Sequence, residues 1–273
     1  MAEPTVRLTS EQIGFYHEQG YLALPPITTA EELVMLRATY DRLFAIRAGH
    51  AEGNHFDLAG ANDEAGQLAL PQILGPSKYA PELATSLLRA NCDVIAAQLG
   101  GPECVYRGDH AINKPARSGA ATPWHQDEAY WGDDQVFEQA LSIWVPFQDV
   151  DERNGCMQFI PGSQRLDVMP HHTINNDPKI HGLELDAGKA DVSRPAVCPL
   201  KAGGCTIHPS RTLHFTAANR SEAPRRAYIL VYHTPAKKLA VGRNFYWNHS
   251  KQTGRDERAK AAAAQKAAGT AAP

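Results

Sequence analysis

The residues with the clearest chemical potential are those of a metal site, namely His125-Gln126-Asp127 and the distant His214. Residues two apart on a strand point to the same face, so on a strand His125 and Asp127 would enter a barrel together. Two imidazoles and one carboxylate suit non-haem Fe(II) and leave coordination positions open for other ligands. On spacing alone, the alternative of three polar side chains hydrogen-bonded in a barrel mouth stays open.

A second stretch of the same type, His55-Phe56-Asp57, occurs in the same chain. With 12 histidines present, about one His-x-Asp match arises by chance, so the pattern alone does not identify a site. This copy lies in a segment rich in glycine and asparagine that has no strand pattern. We therefore predict no metal there.

A cation follows His214 at a useful distance. Arg225 opens the strand-like segment Arg225-Arg226-Ala227-Tyr228-Ile229-Leu230-Val231-Tyr232. In an antiparallel sheet this strand would return beside that of His214 and bring the guanidinium near the metal. Arginine is a natural bidentate partner for a carboxylate. The alternative is an ordinary surface charge at the start of a strand.

The elements that must position these residues change in character along the chain. Residues 9–24 predict a short helix and then a strand; Thr29, with Glu32 three residues on, predicts the start of a helix that runs to about 48. A third helix is predicted over 81–99. Strands are predicted near 104–113, 120–127, 141–150, 156–160, 204–208, 212–218 and 225–233. This order predicts a mainly β fold with flanking helices, in the form of a jelly roll.

Composition bounds the kind of protein. We predict one domain over 1–254 and a largely disordered Ala/Lys-rich tail over 255–273. The net charge of −3 argues against a nucleic-acid or membrane partner. Five cysteines without a paired spacing favour no disulfide framework, and the N-terminus has no signal-peptide pattern, which together predict a cytoplasmic protein. Oligomeric state is left open.

Several motifs then fall in a specific order along the chain. They are Leu8-Thr9-Ser10-Glu11-Gln12, Gly20-Tyr21, His125-Gln126-Asp127, Asn154-Gly155-Cys156, Ile160-Pro161-Gly162-Ser163, His214, Asn219 and Arg225. Together they resemble the phytanoyl-CoA dioxygenase family from the N-terminus to about His233. That family consists of Fe(II)- and 2-oxoglutarate-dependent oxygenases on a cupin-like double-stranded β-helix.

The resemblance implies roles for individual residues. His125, Asp127 and His214 match the iron ligands, and Arg225 matches the arginine that binds the distal carboxylate of 2-oxoglutarate. Further matches to the cosubstrate pocket are Thr216, Trp144, His110 and Gln72. Because Asp127 is present, the halogenation carried out by relatives that lack this carboxylate is disfavoured. The implied reaction consumes O2 and 2-oxoglutarate and inserts oxygen into a C–H bond.

The substrate is not specified by any motif. Acyl-CoA thioesters, amino acids and natural products all occur in the family, and the candidate contact residues are Tyr130, Trp131, Arg117 and His172. Two alternatives stay open: a cupin-like metal enzyme that does not use 2-oxoglutarate, and a non-catalytic jelly-roll binding protein. The expected partner is a small molecule in each case.

Overall fold

A computed structural model describes residues 2–61 and 68–270 of the chain. Its α-helices are α1 Ser10–Gln19, α2 Ala30–Ala45, α3 Pro76–Tyr79, α4 Leu87–Gly100, α5 Tyr246–His249 and α6 Gly254–Thr270. Its strands are β1 Leu22–Leu24, β2 His55–Asp57, β3 Pro71–Leu74, β4 Val105–Lys114, β5 Thr122–His125, β6 Gln135–Phe137, β7 Ala140–Pro146, β8 Met157–Phe159, β9 His171–Thr173, β10 Leu183–Leu185, β11 Ala196–Cys198, β12 Cys205–Pro209, β13 His214–Thr216, β14 Arg225–His233 and β15 Ala236–Lys238.

Two antiparallel sheets face each other and form the jelly roll. The larger has seven strands in the order β1-β12-β7-β14-β4-β3-β2, and the smaller has four in the order β11-β8-β13-β5. Two further pairs, β10 with β9 and β15 with β6, lie outside these sheets. The predicted mainly β fold with flanking helices is confirmed.

Strand β14 shows how the sequence assigns its two faces. Tyr228, Leu230 and Tyr232 belong to the core that also contains side chains of α2 and α4. Ala227 and Ile229 alternate with them and pack in the cluster between the two sheets. This period of two places one face of β14 under the helices and the other toward the interior of the roll.

The helix starts follow the predicted chemistry with one difference. Thr29 caps α2, because its side chain accepts a hydrogen bond from the backbone N–H of Glu32 at 3.1 Å. The Glu32 carboxylate does not return to Thr29. It accepts instead from the backbone N–H groups of Leu87 and Leu88 at 2.6 and 2.8 Å, and so stabilises the first turn of α4.

The described part of the segment predicted as a disordered tail, 255–270, belongs to helix α6, and 271–273 lie outside the described residues. The Arg258 guanidinium donates to the carbonyl of His50 at 3.0 Å, and the Arg255 guanidinium lies 5.2 Å from the centre of the Phe56 ring. The helix therefore contacts the body of the protein through basic side chains. Hydrophobic patterning, on which the prediction of disorder depended, does not detect this kind of docking.

Candidate active site

The three candidate metal ligands meet at the edge of the smaller sheet. His125 ends β5, Asp127 begins a 3-10 turn that runs to Tyr130, and His214 begins β13. His125 and His214 are register partners on paired strands. The Oδ1 atom of Asp127 lies 3.7 Å from Nε2 of His125 and 3.4 Å from Nε2 of His214. Among the described residues, these three form the one cluster whose ligand atoms lie within 4.8 Å of one another.

Both imidazoles are oriented by the backbone. The Nδ1 atom of His125 lies 2.7 Å from the carbonyl of Pro123, and that of His214 lies 2.9 Å from the carbonyl of Thr212. A proton on Nδ1 donates to each carbonyl and leaves Nε2 with a free lone pair, as in metal-binding histidines generally. Burial lowers the pKa of His125 to about 3, so its ring is neutral at physiological pH. A neutral imidazole is the form that binds a metal.

The Asp127 carboxylate remains charged in this environment. Burial by itself raises its pKa, but the neighbouring His214 and His208 outweigh that effect and hold the pKa well below its ordinary value. Two imidazole nitrogens and one anionic carboxylate oxygen that lie close together fit a non-haem iron ion.

Two of the sequence motifs hold the surrounding turns in place. The Ser163 hydroxyl accepts from the backbone N–H of Leu213, the residue before His214, at 2.9 Å. The Asn219 side chain is fully buried and donates to the carbonyls of Lys114, Pro115 and Ala223. It thereby fixes the turn that leads into Arg225.

Arg225 lies in the other sheet from the one that the sequence predicts. Its strand, β14, pairs with β4 and β7, whereas β13 belongs to the smaller sheet. The guanidinium therefore faces the metal cluster across the interior of the roll and not from an adjacent strand. Sequence spacing does not distinguish these arrangements, because both place the strand ends near each other.

The Arg225 side chain is only 1% exposed and has unpartnered polar atoms. Its Nε and Nη1 have no hydrogen-bond partner in the described part of the chain. Its guanidinium carbon lies 5.3 Å from the centre of the Trp144 ring. Burial lowers the pKa of Arg225 to about 9, so the group is still a cation near neutral pH. A carboxylate ligand would supply the counter-ion and the hydrogen-bond acceptors that this buried guanidinium lacks.

The three candidate ligands and the Arg225 guanidinium line the same cavity, which has a volume of about 460 Å³. Thr216, Trp144, His110 and Gln72, the other residues predicted for the cosubstrate, all line it. The Gln72 amide nitrogen lies 3.3 Å from Nδ1 of His110, and the Thr216 hydroxyl donates to that of Thr122 at 3.0 Å. The cavity thus has the donor set for iron at one point and the cation for a dicarboxylate at another.

The four predicted substrate residues divide into two pairs. Tyr130 and Trp131 line the cavity. Arg117 and His172 are not among its lining residues. The Arg117 side chain is 74% exposed and paired with Glu222, and His172 pairs with Asp186 at 2.7 Å. Arg117 lies at the surface and His172 is half-buried, and each pairs with a carboxylate outside the cavity.

The polar cavity-lining residues that sequence reasoning missed include Ser142, His181 and His208. Ser142 had a usable signal, because it lies two residues before Trp144 on the same strand and so shares its face. His208 had none, since the side chains Cys205–His208 of β12 are all buried and show no alternation. His181 lies in the irregular part of the 163–200 segment.

Residues 243–248 contact the turn that carries Asp127. The Trp247 indole and the Asn248 amide both donate to the carbonyl of Ala129, at 2.9 and 2.7 Å. The nearly buried Glu128 carboxylate accepts from Arg211 at 2.9 Å and from Arg243 at 2.6 Å. The turn that begins with Asp127 is therefore tied to residues 243–248, which we call the C-terminal strap.

This chemistry, on a jelly roll, defines the class of iron- and 2-oxoglutarate-dependent oxygenases. The chain belongs to the phytanoyl-CoA dioxygenase (PhyH) family, whose pattern matches residues 16–227. It is an Fe(II)/2-oxoglutarate-dependent dioxygenase, with iron as its metal and 2-oxoglutarate and O2 as cosubstrates. The resemblance predicted from the motifs is confirmed.

Several known proteins are similar over most of this length. EvdO2 from Micromonospora carbonacea var. aurantiaca, solved in complex with 2-oxoglutarate, is 35% identical with a TM-score of 0.76, covering 90% of this chain and 99% of that one. A probable alpha-ketoglutarate-dependent hypophosphite dioxygenase from Stutzerimonas stutzeri is 26% identical, covering 82% of this chain and 78% of that protein. The ectoine dioxygenase of Bordetella parapertussis is 25% identical, with 85% and 77% covered.

One further structural finding concerns membranes. Within the described ranges, no helix has both the length and the apolar character needed to cross a bilayer.

Proposed function

We propose that this dioxygenase hydroxylates a C–H bond of a small-molecule metabolite, with His125, Asp127 and His214 holding the iron. One molecule each of substrate, 2-oxoglutarate and O2 gives hydroxylated product, succinate and CO2. The bound iron supplies the activation of dioxygen. The presence of Asp127 supports hydroxylation over halogenation, since the carboxylate occupies the place that a halide ion would need.

The observation that carries the cosubstrate part of the proposal is the unpartnered Arg225 fork. In this assignment Arg225 binds the distal carboxylate of 2-oxoglutarate, and Trp144 and Thr216 form the walls beside it. His110 and Gln72 line the same cavity and complete this assignment. In a cupin-like enzyme that does not use 2-oxoglutarate, or in a non-catalytic binding protein, no ligand carboxylate would neutralise this fully buried cation.

The substrate side of the cavity has an aromatic character. Trp131 and Phe137 meet edge to face with ring centres 5.1 Å apart, and both line the cavity. Tyr130 lies edge to face with His125 at 5.7 Å and so borders the iron position directly. We assign substrate contact to Tyr130 and Trp131, and none to Arg117 and His172.

The chain contains a matched pair of variants for the decisive test. Arg225 and Arg226 are neighbours on β14, but Arg226 faces away from the cavity and pairs with Asp41 at 2.7 Å. Arg225→Ala is expected to weaken 2-oxoglutarate binding on the order of 100-fold, the usual result of truncating one partner of a buried charge pair. Arg226→Ala is expected to bind it within a few-fold of the wild-type enzyme.

The measurement is anaerobic titration of the Fe(II) protein with 2-oxoglutarate, followed by succinate release with O2 across acids, amino acids and acyl-CoA thioesters. Labelled O2 should place one oxygen atom in succinate and one in the product. Unchanged 2-oxoglutarate affinity in Arg225→Ala would refute the cosubstrate assignment. A product without the labelled oxygen would refute hydroxylation.

A further inference from the structure

His208 and Ser142 enter the cavity together beside the metal carboxylate. They are register partners on the paired strands β12 and β7. The Ser142 hydroxyl donates to Oδ2 of Asp127 at 2.6 Å, and Nε2 of His208 lies 3.3 Å from the same oxygen. The other oxygen, Oδ1, is the one that faces His125 and His214. The two oxygens of Asp127 therefore have separate sets of neighbours.

The His208 ring packs against the rings of Phe159 and His214, but its polar atoms have few partners. It is 2% exposed, and neither ring nitrogen has a well-aligned hydrogen-bond partner in the described ranges. The 3.3 Å approach to Asp127 is a polar contact lying off the ideal hydrogen-bond direction. A buried imidazole without a partner is destabilising, so its position at this place needs a reason other than packing. The nearby carboxylate oxygen provides that reason.

We propose that His208, together with Ser142, is a positioning residue that occupies Oδ2 of Asp127 and so directs iron to Oδ1 alone. The proposal rests on the ligand assignment made under the proposed function. A carboxylate that binds through one oxygen leaves three positions at the metal, enough for both donor atoms of 2-oxoglutarate and for dioxygen. Binding through both oxygens would take one of those positions away.

A direct role for His208 as a fourth ligand is the competing possibility. Its ring centre is 4.3 Å from that of His214, close enough for the question to arise. However, its Nε2 approaches Oδ2, and among the described residues the cluster of possible ligand atoms within 4.8 Å of one another consists of His125, Asp127 and His214 without it. That placement favours a contact to the carboxylate over one to the ion.

The test compares His208→Leu with His208→Gln in anaerobic Fe(II) titrations. Loss of a residue that orients a metal ligand typically costs about 10- to 100-fold in metal affinity, and we expect that loss for His208→Leu. Glutamine places an amide N–H near the position of Nε2, so His208→Gln should recover most of the affinity. Thr206→Val is the matched control, because Thr206 is buried two residues earlier on the same strand and has no hydrogen-bond partner for its hydroxyl in the described structure. It should bind iron like the wild-type protein.

A second measurement follows the chelation of 2-oxoglutarate through the charge-transfer absorption of its Fe(II) complex. With iron saturating, His208→Leu should need several-fold more 2-oxoglutarate, since a carboxylate bound through both oxygens competes for a position. His208→Asn, whose amide is too short to reach Oδ2, should resemble His208→Leu in both measurements. The Gln–Asn pair keeps the test decisive even if the leucine variant does not fold.

The outcomes separate the two levels of the proposal. Wild-type iron affinity in His208→Leu or His208→Asn would overturn the role of His208 and leave the ligand assignment intact. Equal loss in the Gln and Asn variants, or a third imidazole in the electron spin-echo spectrum of the metal site, would overturn it in favour of direct ligation. No iron uptake by the wild-type protein would overturn both assignments.

Discussion

The chain contains the motif His-x-Asp twice, and the two copies have different structural roles. His125-Gln126-Asp127 belongs to the cluster of candidate iron ligands. His55-Phe56-Asp57 is also buried, and it forms strand β2 at the edge of the seven-stranded sheet. The expectation that this second copy lies in a loop is wrong. The strand criterion favours the wrong copy, because Asp57 lies on a strand whereas Asp127 begins a 3-10 turn.

The two copies differ in the hydrogen bonds that their carboxylates accept. Asp57 accepts backbone hydrogen bonds from Ala59 and Leu70 at Oδ1 and from Ala69 at Oδ2. Both of its oxygens thus already accept hydrogen bonds from the backbone. Asp127 has only Oδ2 occupied, and Oδ1 points toward two imidazole nitrogens whose lone pairs are free. A metal site needs an oxygen that the protein's own backbone has left available.

The largest effect that can test this contrast is the loss of iron. Asp127→Ala removes one of three ligands and is expected to weaken Fe(II) binding by more than about 100-fold, since even residues behind the ligands contribute up to that amount. Asp57→Ala should retain wild-type iron affinity in its folded form. The measurement is metal content after anaerobic reconstitution and desalting. If Asp57→Ala lost iron while folded, the two copies would not differ as described.

The second effect is on the free energy of unfolding. Here Asp57→Ala, and not Asp127→Ala, is expected to be the more damaging variant. Asp57→Ala leaves three backbone N–H groups without their acceptor and is expected to lower the free energy of unfolding by about 3 kcal/mol. Asp127→Ala removes a buried charge from the metal-free protein and should change that free energy by less. Urea unfolding of both metal-free variants tests this difference. Asp57→Asn, which keeps one acceptor oxygen, should fall between wild type and Asp57→Ala.

The smallest effect concerns the residue that follows each motif. It is the ionisable Glu128 after Asp127 and the apolar Leu58 after Asp57. Burial raises the pKa of Glu128, but hydrogen bonds from Arg211 and Arg243 outweigh it, so the folded pKa lies below the ordinary 4.5. A depressed folded pKa means that Glu128 stabilises the fold fully above about pH 5 and loses this contribution as the pH falls through the folded value. Glu128→Gln should therefore show a stability deficit of roughly 1 kcal/mol at neutral pH that shrinks on acidification.

Glu138→Gln is the matched control for that titration. Glu138 pairs with Lys237 at 3.0 Å, and both side chains are 68% exposed. Exposed pairs contribute little, so this variant should follow the wild-type curve at every pH. A deficit in Glu128→Gln that stayed constant from pH 7 to about pH 3 would contradict the assigned ion pairs.

The sequence predicted the parts of this molecule that depend on local order. The helix starts at Thr9 and Thr29, the long strand β14 and the ligand set all follow from short-range patterns and from motifs in a recognisable order. The cavity-lining positions of Trp144, Thr216 and His110 came from the resemblance. These are features that a few neighbouring residues determine.

What could not be predicted depends on which strands become neighbours. Arg225 reaches the cavity from the larger sheet, and His208 meets Asp127 only because β12 lies next to β7. Strands β2 and β3 were missed because each is very short and depends on pairing with a neighbour, β3 with β4 and β2 with β3. Likewise, α6 is held by arginine contacts that hydrophobic periodicity does not register.

The C-terminal strap has a consequence for how the protein is made. All three candidate ligands and Arg225 precede the strap in the chain, yet Arg243, Trp247 and Asn248 support the turn that begins at Asp127. Synthesis proceeds at about 5–20 residues per second, so the ribosome needs roughly 2 to 7 seconds to go from His214 to Asn248. During that interval a nascent chain has the candidate ligands without the contacts from Arg243, Trp247 and Asn248 that hold the Asp127 turn in the folded protein.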